Sequence, residues 1–329
     1  MKRLRTSRHY STSFVLVVSG LLAAMTLPSA RVAVADQIDI ISTRDNTLYQ
    51  GTTPLSNGGG THMFAGRTGQ SNLSVRRALV YFDIAGNLPP DAIIDGAELQ
   101  LFVSNASQQL AQNIRLHRVT TDWGESISFG TGGQGSGAPA FVGDTTWVFA
   151  IYNTQPWDTP GGDYTVPASA TTSVGAFGPY TWPSTAGVVN DVRKWLEEPF
   201  ANHGWILIGN EGASQSAKRF DTREEGIASR RPRLRVFFHL PPQFVRGDCN
   251  NTGTLDVVDV TQLLHTLFPG ISTPTPATCL DACDANDDGL VNVADVVTQI
   301  QLIFFSGPPP CAQDTDMDAL DCLSYSHCP

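Results

Sequence analysis

The stretch DCNNTGTLDVVD, residues 248–259, recurs 36 positions later as DANDDGLVNVAD, residues 284–295. Both copies place an oxygen-bearing side chain at loop positions 1, 3, 5, 9 and 12, and a glycine at position 6. Calcium is a hard cation that takes six to eight oxygen ligands, and a glycine permits the sharp turn of such a loop. An apolar run typical of a helix follows each copy, at Val260–Phe268 and Val296–Phe305. The repeat therefore predicts a pair of EF-hand-type loops that bind two calcium ions.

The predicted ligands are six residues in each loop. Thr254 and Leu290 contribute main-chain carbonyls at position 7, and the position-9 side chains act through water. Thr252 replaces a carboxylate at position 5, so we expect the first loop to bind calcium more weakly than the second. The full set is Asp248, Asn250, Thr252, Thr254, Asp256, Asp259, Asp284, Asn286, Asp288, Leu290, Asn292 and Asp295.

The distribution of charge favours a cation site in this region. The chain of 329 residues has a net charge of −10, and residues 244–329 hold 12 Asp, no Glu and Arg246 as the one Lys or Arg. An acidic tail is typical of a solvated segment or of a cation site, and the repeated oxygen positions favour the second. The chain has no basic stripe, so nucleic acid is not an expected partner.

All six cysteines lie in the same acidic region, which predicts disulfides in an oxidising compartment. Sequence alone leaves fifteen pairings open. Cys249 and Cys283 each lie beside the first ligand of a loop, so the pairing of the loops favours a bond between them. The predicted pairs are Cys249–Cys283, Cys279–Cys311 and Cys322–Cys328.

With aspartate at position 12 of two short loop–helix units, residues 246–305 resemble the dockerin family. The resemblance implies calcium binding and a helix face that docks onto a cohesin-like or cell-surface protein, often in polysaccharide-degrading systems. Partner contacts in that family commonly use small hydroxyl residues at loop positions 10 and 11. This chain has Val257-Val258 and Val293-Ala294 there, a departure that bears on docking and leaves calcium binding intact. Residues 307–329 resemble the Cys-bearing extension of dockerin-like tails.

Residues 36–240 carry the pattern of an all-β domain, with short β-branched and aromatic runs between turn-rich stretches. One helix is predicted over Val188–Leu196, where apolar residues recur on one face and include Trp195. Trp205, like Trp195, is expected in the core. The predicted strands are Ile38–Ile41, Ala78–Ile84, Ala97–Val103, Asn113–Val119, Gly204–Ile208 and Arg233–His239.

Several segments of this region resemble the DNRLRE-domain family of β-sandwich modules in exported proteins. The resemblance implies a jelly-roll-like β-sandwich over residues 37–238, and some members of the family bind carbohydrate. We therefore expect a mainly β protein in which the sandwich precedes a small α-helical EF-hand pair. The matching segments are Asp45–Tyr49, Arg76–Ile84, Asp122–Glu125, Asn202–Trp205, Lys218–Glu224 and Arg231–Leu234.

Two sets of side chains in the β region are candidates for binding or catalysis. Trp147, Trp157 and Trp182 lie in Gly- and Pro-rich surroundings and are candidates for stacking on a sugar, although large aromatic residues are mostly buried. Asp122 and Glu125 are a candidate carboxylate pair for glycoside hydrolysis, although a strand-end turn packed by Trp123 is the preferred explanation for them. We predict that no catalytic residues are present.

The N-terminus predicts export. Basic residues precede the apolar run Phe14–Leu27, and Ala33-Val34-Ala35 is a cleavage signal, so residues 1–35 read as a secretory signal peptide. No later segment approaches the ~18 apolar residues of a membrane-spanning helix. The predicted order is signal peptide 1–35, β-sandwich 36–240, linker 241–247, EF-hand pair 248–306 and Cys-bearing tail 307–329.

The favoured function is that of a secreted or cell-surface, non-catalytic, calcium-binding protein. Its β-sandwich would bind polysaccharide or a surface, and its dockerin-like module would dock or tether it. Two alternatives stay open on the residues alone. The first is an enzyme that hydrolyses O-glycosyl bonds in polysaccharide catabolism, or a component of such a system. The second is a purely structural surface or matrix protein.

Overall fold

The computed structural model of the protein describes residues 36–241, 243–269, 277, 279–307, 309, 311–313, 320, 322 and 325. The predicted signal peptide lies outside the described residues, as does Cys328. The protein is mainly β, and the described residues form 17 strands and three α-helices.

The strands are β1 (Asp36–Ile41), β2 (Arg44–Tyr49), β3 (Leu55–Ser56), β4 (His62–Arg67), β5 (Val75–Tyr81), β6 (Ile93–Ala106), β7 (Gln112–Arg118), β8 (Ala138–Pro139), β9 (Phe149–Ile151), β10 (Gln155–Pro156), β11 (Ala170–Val174), β12 (Gly178–Trp182), β13 (Trp205–Ile208), β14 (Lys218–Asp221), β15 (Arg233–His239), β16 (Gln243–Val245) and β17 (Cys311–Gln313). The helices are α1 (Ala186–Glu197), α2 (Val257–Leu267) and α3 (Val293–Gln301). Short 3-10 turns lie at Pro199–Ala201 and Ala228–Arg230, and a π-helical turn at Leu302–Ser306 continues α3.

Eleven strands form one curled antiparallel sheet. Its main path runs β1-β15-β6-β14-β4-β5-β13-β7-β11, with β12 on β6 and β2 on β5. The long strand β6 pairs with three partners, β15, β12 and β14, and so connects separate parts of the sheet. All six predicted strands are present, with bounds shifted by a few residues.

The centre of the sheet is buried on both faces, because alternate side chains of a strand point to opposite sides. On β13, Trp205 and Leu207 join the main core, while Ile206 and Ile208 join a second cluster with Trp123. The prediction that Trp205 belongs to the core is confirmed. Residues between β7 and β11 cover the second face.

Helix α1 confirms the predicted helix. The Thr185 hydroxyl caps it by accepting the N–H of Val188 at 3.2 Å. Its apolar face is buried in the main core, where Trp195 packs edge-on against Trp205 with ring centroids 4.5 Å apart. Amphipathic periodicity therefore identified both the helix and its buried face.

A buried lysine connects two loops of the β region. The Lys218 ammonium donates to the carbonyls of Gln108 at 2.7 Å, Leu110 at 2.9 Å and Gly175 at 2.9 Å. Its side chain is fully buried, and burial lowers its pKa. A buried ammonium is tolerated when all of its protons are donated.

The C-terminal region has its own small cores. Helices α2 and α3 contact one another. Their side chains Val260, Leu263 and Val296 form one buried cluster with the disulfide between Cys249 and Cys283. Strands β16 and β17 pair antiparallel, so the chain after α3 returns beside the residues that precede the first loop. This return is what brings the tail to that loop.

Candidate functional site

The first loop is closed by the capping interactions of α2. The carboxylate of Asp256 accepts the N–H of Val258 at 2.7 Å, and that of Asp259 accepts the N–H of Asp256 at 2.9 Å. This reciprocal capping box fixes the side chain of Asp259 at the helix start. The other oxygen of Asp259 accepts the N–H of Asn250 at 3.1 Å. The position-12 carboxylate therefore points back into the loop.

Asp248 closes the same loop from position 1. Its side chain is completely buried; Oδ1 accepts the N–H of Thr252 at 3.0 Å, and Oδ2 accepts that of Gly253 at 2.6 Å. Gly253 has a φ of 81°, in the left-handed region that glycine adopts without strain. Oδ2 also accepts a hydrogen bond from the hydroxyl of Tyr325.

The carboxylates of Asp248 and Asp259 lie within hydrogen-bonding reach of each other. Burial, and then the neighbouring Asp248, raises the pKa of Asp259 to about 6, against the lowering effect of its main-chain donors. Two buried carboxylates in contact need a shared proton or a cation to offset their repulsion.

The second loop repeats this arrangement. Asp284 accepts the N–H groups of Asp288 at 3.2 Å and Gly289 at 2.7 Å. Asp295 accepts those of Asn286 at 3.2 Å and Asn292 at 2.7 Å. Asp284 and Asp295 are completely buried, and burial together with the Asp284 carboxylate raises the pKa of Asp295.

The remaining predicted ligands surround these pairs and bond among themselves. The Thr252 hydroxyl lies 3.4 Å from the Thr254 carbonyl, and the Asn292 amide donates to the Leu290 carbonyl at 3.0 Å. In the second loop, the side-chain amide of Asn286 at position 3 donates a hydrogen bond to the carboxylate of Asp288 at position 5, at 3.0 Å. Positions 1 and 12 thus meet in both loops, with the other oxygen-bearing groups around them.

The donor atoms of both loops are oxygens, which is the donor type that a hard cation takes. The buried Oδ1 of Asn250 has no hydrogen-bond partner, and a buried polar atom of this kind calls for a ligand or water. Within the described ranges, no group of three or more His, Cys, Asp or Glu side chains is arranged to hold a metal ion. Each loop gathers two carboxylates, and a loop of this type takes its other ligands from amide, hydroxyl and main-chain oxygens.

Two disulfides have both cysteines within the described residues, and one predicted pair is confirmed. Cys249 bonds to Cys283, which joins the two loops beside their first ligands. The other two predicted pairs are wrong, because Cys279 bonds to Cys322. The pairing of β17 with β16 brings the tail back across the start of the module, and spacing in the sequence does not report this return. Cys311 is also disulfide-bonded.

Among the described residues, Arg246 forms no ion pair with the two carboxylates at positions 1 and 12 of either loop. Its guanidinium contacts Asp281 at 3.0 Å and Asp287 at 2.5 Å, and donates to the main-chain carbonyl of Asp284 at 3.2 Å. In the part of the chain that the structure describes, no basic side chain forms an ion pair with the carboxylates at positions 1 and 12 of either loop.

Two of the three candidate stacking tryptophans are in the core, so that prediction is wrong for them. Trp182 is completely buried and donates its indole N–H to the Ile114 carbonyl at 2.9 Å. Trp157 is 4% exposed and donates to the Thr146 carbonyl at 2.9 Å. Trp147 is partly buried, with the guanidinium of Arg77 5.0 Å above its ring. Buried indoles satisfy their N–H internally, and Gly- and Pro-rich surroundings do not exclude this.

Asp122 and Glu125 have well-separated pKa values but are both engaged with structural partners. Hydrogen bonding to His203 lowers the pKa of Asp122 to about 2, and Arg44 lies 3.2 Å from it. Burial raises the pKa of Glu125 to about 7. The Glu125 carboxylate accepts the Asp45 N–H at 3.0 Å and contacts Arg223 at 3.0 Å. Its side chain is 6% exposed, so a substrate has little access to it.

A shallow cleft of about 170 Å³ lies elsewhere on the β region. Phe64 and Arg219 line it, together with polar and glycine residues of neighbouring loops. The guanidinium of Arg219 donates to Ser104 Oγ at 3.1 Å, and the exposed side chain of Asn105 lies on the same rim. Sequence reasoning missed this cleft, because its lining residues are scattered along the chain.

No protein-family model and no curated protein matches the chain. The resemblances to the DNRLRE and dockerin families therefore stay predictions. No helix in the described ranges has the length and apolar character needed to cross a bilayer.

Proposed function

We propose that residues 248–306 form a dockerin-like EF-hand pair that binds two calcium ions. The observation that carries this proposal is the convergence, in two repeated loops, of completely buried aspartate pairs without a basic partner. Burying an ionised carboxylate without compensation is very unfavourable. A calcium ion in each loop supplies the missing positive charge.

The ligands divide equally between the ions. Calcium supplies charge compensation and a fixed loop geometry, while main-chain N–H groups orient the carboxylates at positions 1 and 12. The first ion is held by Asp248, Asn250, Thr252, the Thr254 carbonyl and Asp259, with Asp256 acting through water. The second is held by Asn286, Asp288, the Leu290 carbonyl, Asp284 and Asp295, with Asn292 acting through water.

The module would dock or tether the protein to a cohesin-like or cell-surface partner. The residues at loop positions 10 and 11 support an apolar contact, since Val257, Val258 and Val293 are 55%, 58% and 56% exposed. A partner that prefers hydroxyl groups at these positions is a poorer match for this surface.

Residues 36–240 would be a jelly-roll-like β-sandwich of the DNRLRE type that binds polysaccharide or another surface. The cleft beside Phe64 and Arg219 supports this role, because an aromatic side chain and polar groups both line it. Trp147 is the one candidate stacking residue that keeps partial exposure. The disulfides fit an oxidising extracellular setting, which agrees with the predicted export.

We propose a non-catalytic role, and the alternatives have distinct signatures. The polysaccharide-degrading enzyme would need Asp122 or Glu125 to act on substrate, yet ion pairs and main-chain groups hold both. The structural surface or matrix protein predicts that residues 36–240 retain no polysaccharide.

Thermal unfolding of the full chain tests the calcium proposal. We expect a transition assigned to residues 244–329 to occur at a higher temperature with calcium than with chelator, because an ion that binds the native state stabilises it by mass action. The transition of the β region is the internal control. An unchanged unfolding profile after chelation contradicts the proposal.

A polysaccharide array followed by a reducing-sugar assay separates the three functions. Retention of a polysaccharide without release of reducing ends supports the binding module. Turnover that is abolished by Glu125→Gln with the fold intact would establish the enzyme instead. Absence of binding across the array favours the structural alternative.

A further inference from the structure

The first ligand of each loop has a different environment. Both oxygens of Asp284 accept main-chain N–H groups of their own loop. Asp248 accepts the equivalent pair, and its Oδ2 also accepts the hydroxyl of Tyr325, which lies 77 residues further along the chain. The extra donor is therefore specific to the first loop in the described part of the chain.

Tyr325 is held at this position by the residues around it. Its side chain packs against a buried cluster formed by Phe244, Ala282 and the disulfide between Cys279 and Cys322. Cys322 precedes Tyr325 by three residues, so the disulfide restricts how far the hydroxyl can move from the loop. Phe244, on β16, leads directly into that loop.

A donor on the outer oxygen of a carboxylate ligand fixes the orientation of the inner oxygen. Such outer contacts set metal affinity because they remove the rotational freedom that binding would otherwise have to freeze. The first loop has the greater need for this effect, since Thr252 replaces a carboxylate at position 5. The additional donor occurs in the loop that has a hydroxyl in place of a carboxylate at position 5.

We propose that Tyr325 is a positioning residue for the first calcium loop. Its hydroxyl orients Asp248 toward the ion, and the Cys279–Cys322 disulfide keeps the hydroxyl in place. This inference rests on the proposed binding of calcium. It assigns the Cys-bearing tail a role in setting the affinity of one site.

Calcium titration of full-length variants with one intact loop tests the proposal. In an Asp284→Ala background, where the first site remains, Tyr325→Phe is expected to raise the Kd about tenfold. In an Asp248→Ala background, where the second site remains, the same substitution leaves the Kd unchanged. Equal effects in the two backgrounds, or no effect in either, overturn the proposal.

Two controls separate this result from a general loss of structure. Tyr152→Phe removes a hydroxyl in the β region and should leave both sites unchanged. Replacing Cys279 and Cys322 together by serine should weaken the first site, and adding Tyr325→Phe should then have little further effect. Independent, additive effects contradict the anchoring role of the disulfide. A wild-type chain that binds no calcium overturns the proposed function itself, and this inference with it.

Discussion

Two buried carboxylates of the β region, Asp191 and Glu125, are compensated differently from those of the C-terminal loops. In the β region, buried Asp191 accepts the indole N–H of Trp205 at 2.8 Å and lies 3.5 Å from Arg118. Glu125 likewise contacts Arg223. In the loops, Asp248 and Asp284 have hydrogen-bond donors but no basic partner among the described residues.

This difference indicates where each region obtains its positive charge. Arg118 and Arg223 lie beside these two carboxylates of the β region, so their burial should not depend on added ions. The loop region has Arg246 as its one Lys or Arg, so under the proposed function it would take positive charge from calcium ions in solution. We therefore predict that calcium stabilises the loop region and leaves the stability of the β region unchanged.

The largest expected effect comes from removing one loop's first ligand. Asp284→Ala should abolish the second site, whose saturation contributes about 4 kcal/mol at a calcium concentration of ~1,000 Kd. Asp248→Ala should reduce the calcium-dependent rise in melting temperature by less, because the first loop already lacks a carboxylate at position 5. Thermal unfolding with calcium and with chelator measures both variants.

Asp39→Ala is the matched control. Asp39 pairs with Arg235 at 2.8 Å in the β region, so its loss should leave the calcium shift intact. A larger loss from Asp248→Ala than from Asp284→Ala would reverse the proposed order of the two loops.

Removing a buried hydrogen-bond donor from the β region should lower the free energy of unfolding by the same amount with and without calcium. Lys218→Met leaves three buried carbonyls without their donor, and we expect the free energy of unfolding to fall by about 3 kcal/mol. Lys194→Met, which removes the exposed ion pair between Lys194 on α1 and Glu198 just after it, should cost less than ~0.5 kcal/mol. Urea unfolding with and without calcium checks both. A Lys218→Met effect that calcium rescues would contradict the separation of the two regions.

The stability of the chelated protein and that of the calcium-loaded protein should depend on pH in different ways. The pKa of Asp259 is raised to about 6, so its contribution to the chelated fold is present below its ordinary value near 4 and is lost as pH rises through about 6. Calcium requires the ionised carboxylate, so calcium-dependent stabilisation should grow over the same range. Melting temperatures between pH 4 and pH 7 measure both curves, and parallel curves would refute this account.

The smallest expected effect comes from exchanging the residues at position 5. Thr252→Asp adds a carboxylate to the first loop and should lower its Kd about fivefold, or about 1 kcal/mol. Asp288→Thr should weaken the second loop by a similar factor. Calcium titrations of the two variants sharpen the comparison between the loops, and unchanged affinities would show that position 5 does not distinguish them.

Local patterns predicted the local structure well. The repeat of residues 248–259 located both loops with their aspartate pairs, and apolar periodicity located α1. Long-range contacts left no local signal. The bond between Cys279 and Cys322 and the contact of Tyr325 with Asp248 depend on the pairing of β17 with β16, which the sequence pattern did not reveal.

The same limit explains the error on the tryptophans. Gly- and Pro-rich flanks made Trp157 and Trp182 candidates for an exposed stacking face, yet each indole N–H donates to a main-chain carbonyl inside the core. Burial of a large ring depends on which loops fold over it, and that information is not contained in its immediate neighbours.

The number of calcium ions bound per chain tests the central claim most directly. Isothermal titration of the chelated, full-length protein should give two ions for the wild type and one for each of Asp248→Ala and Asp284→Ala. The double variant should bind none. A wild-type chain that binds no calcium, or a double variant that still binds two ions, would contradict the assignment of the cation sites to these loops.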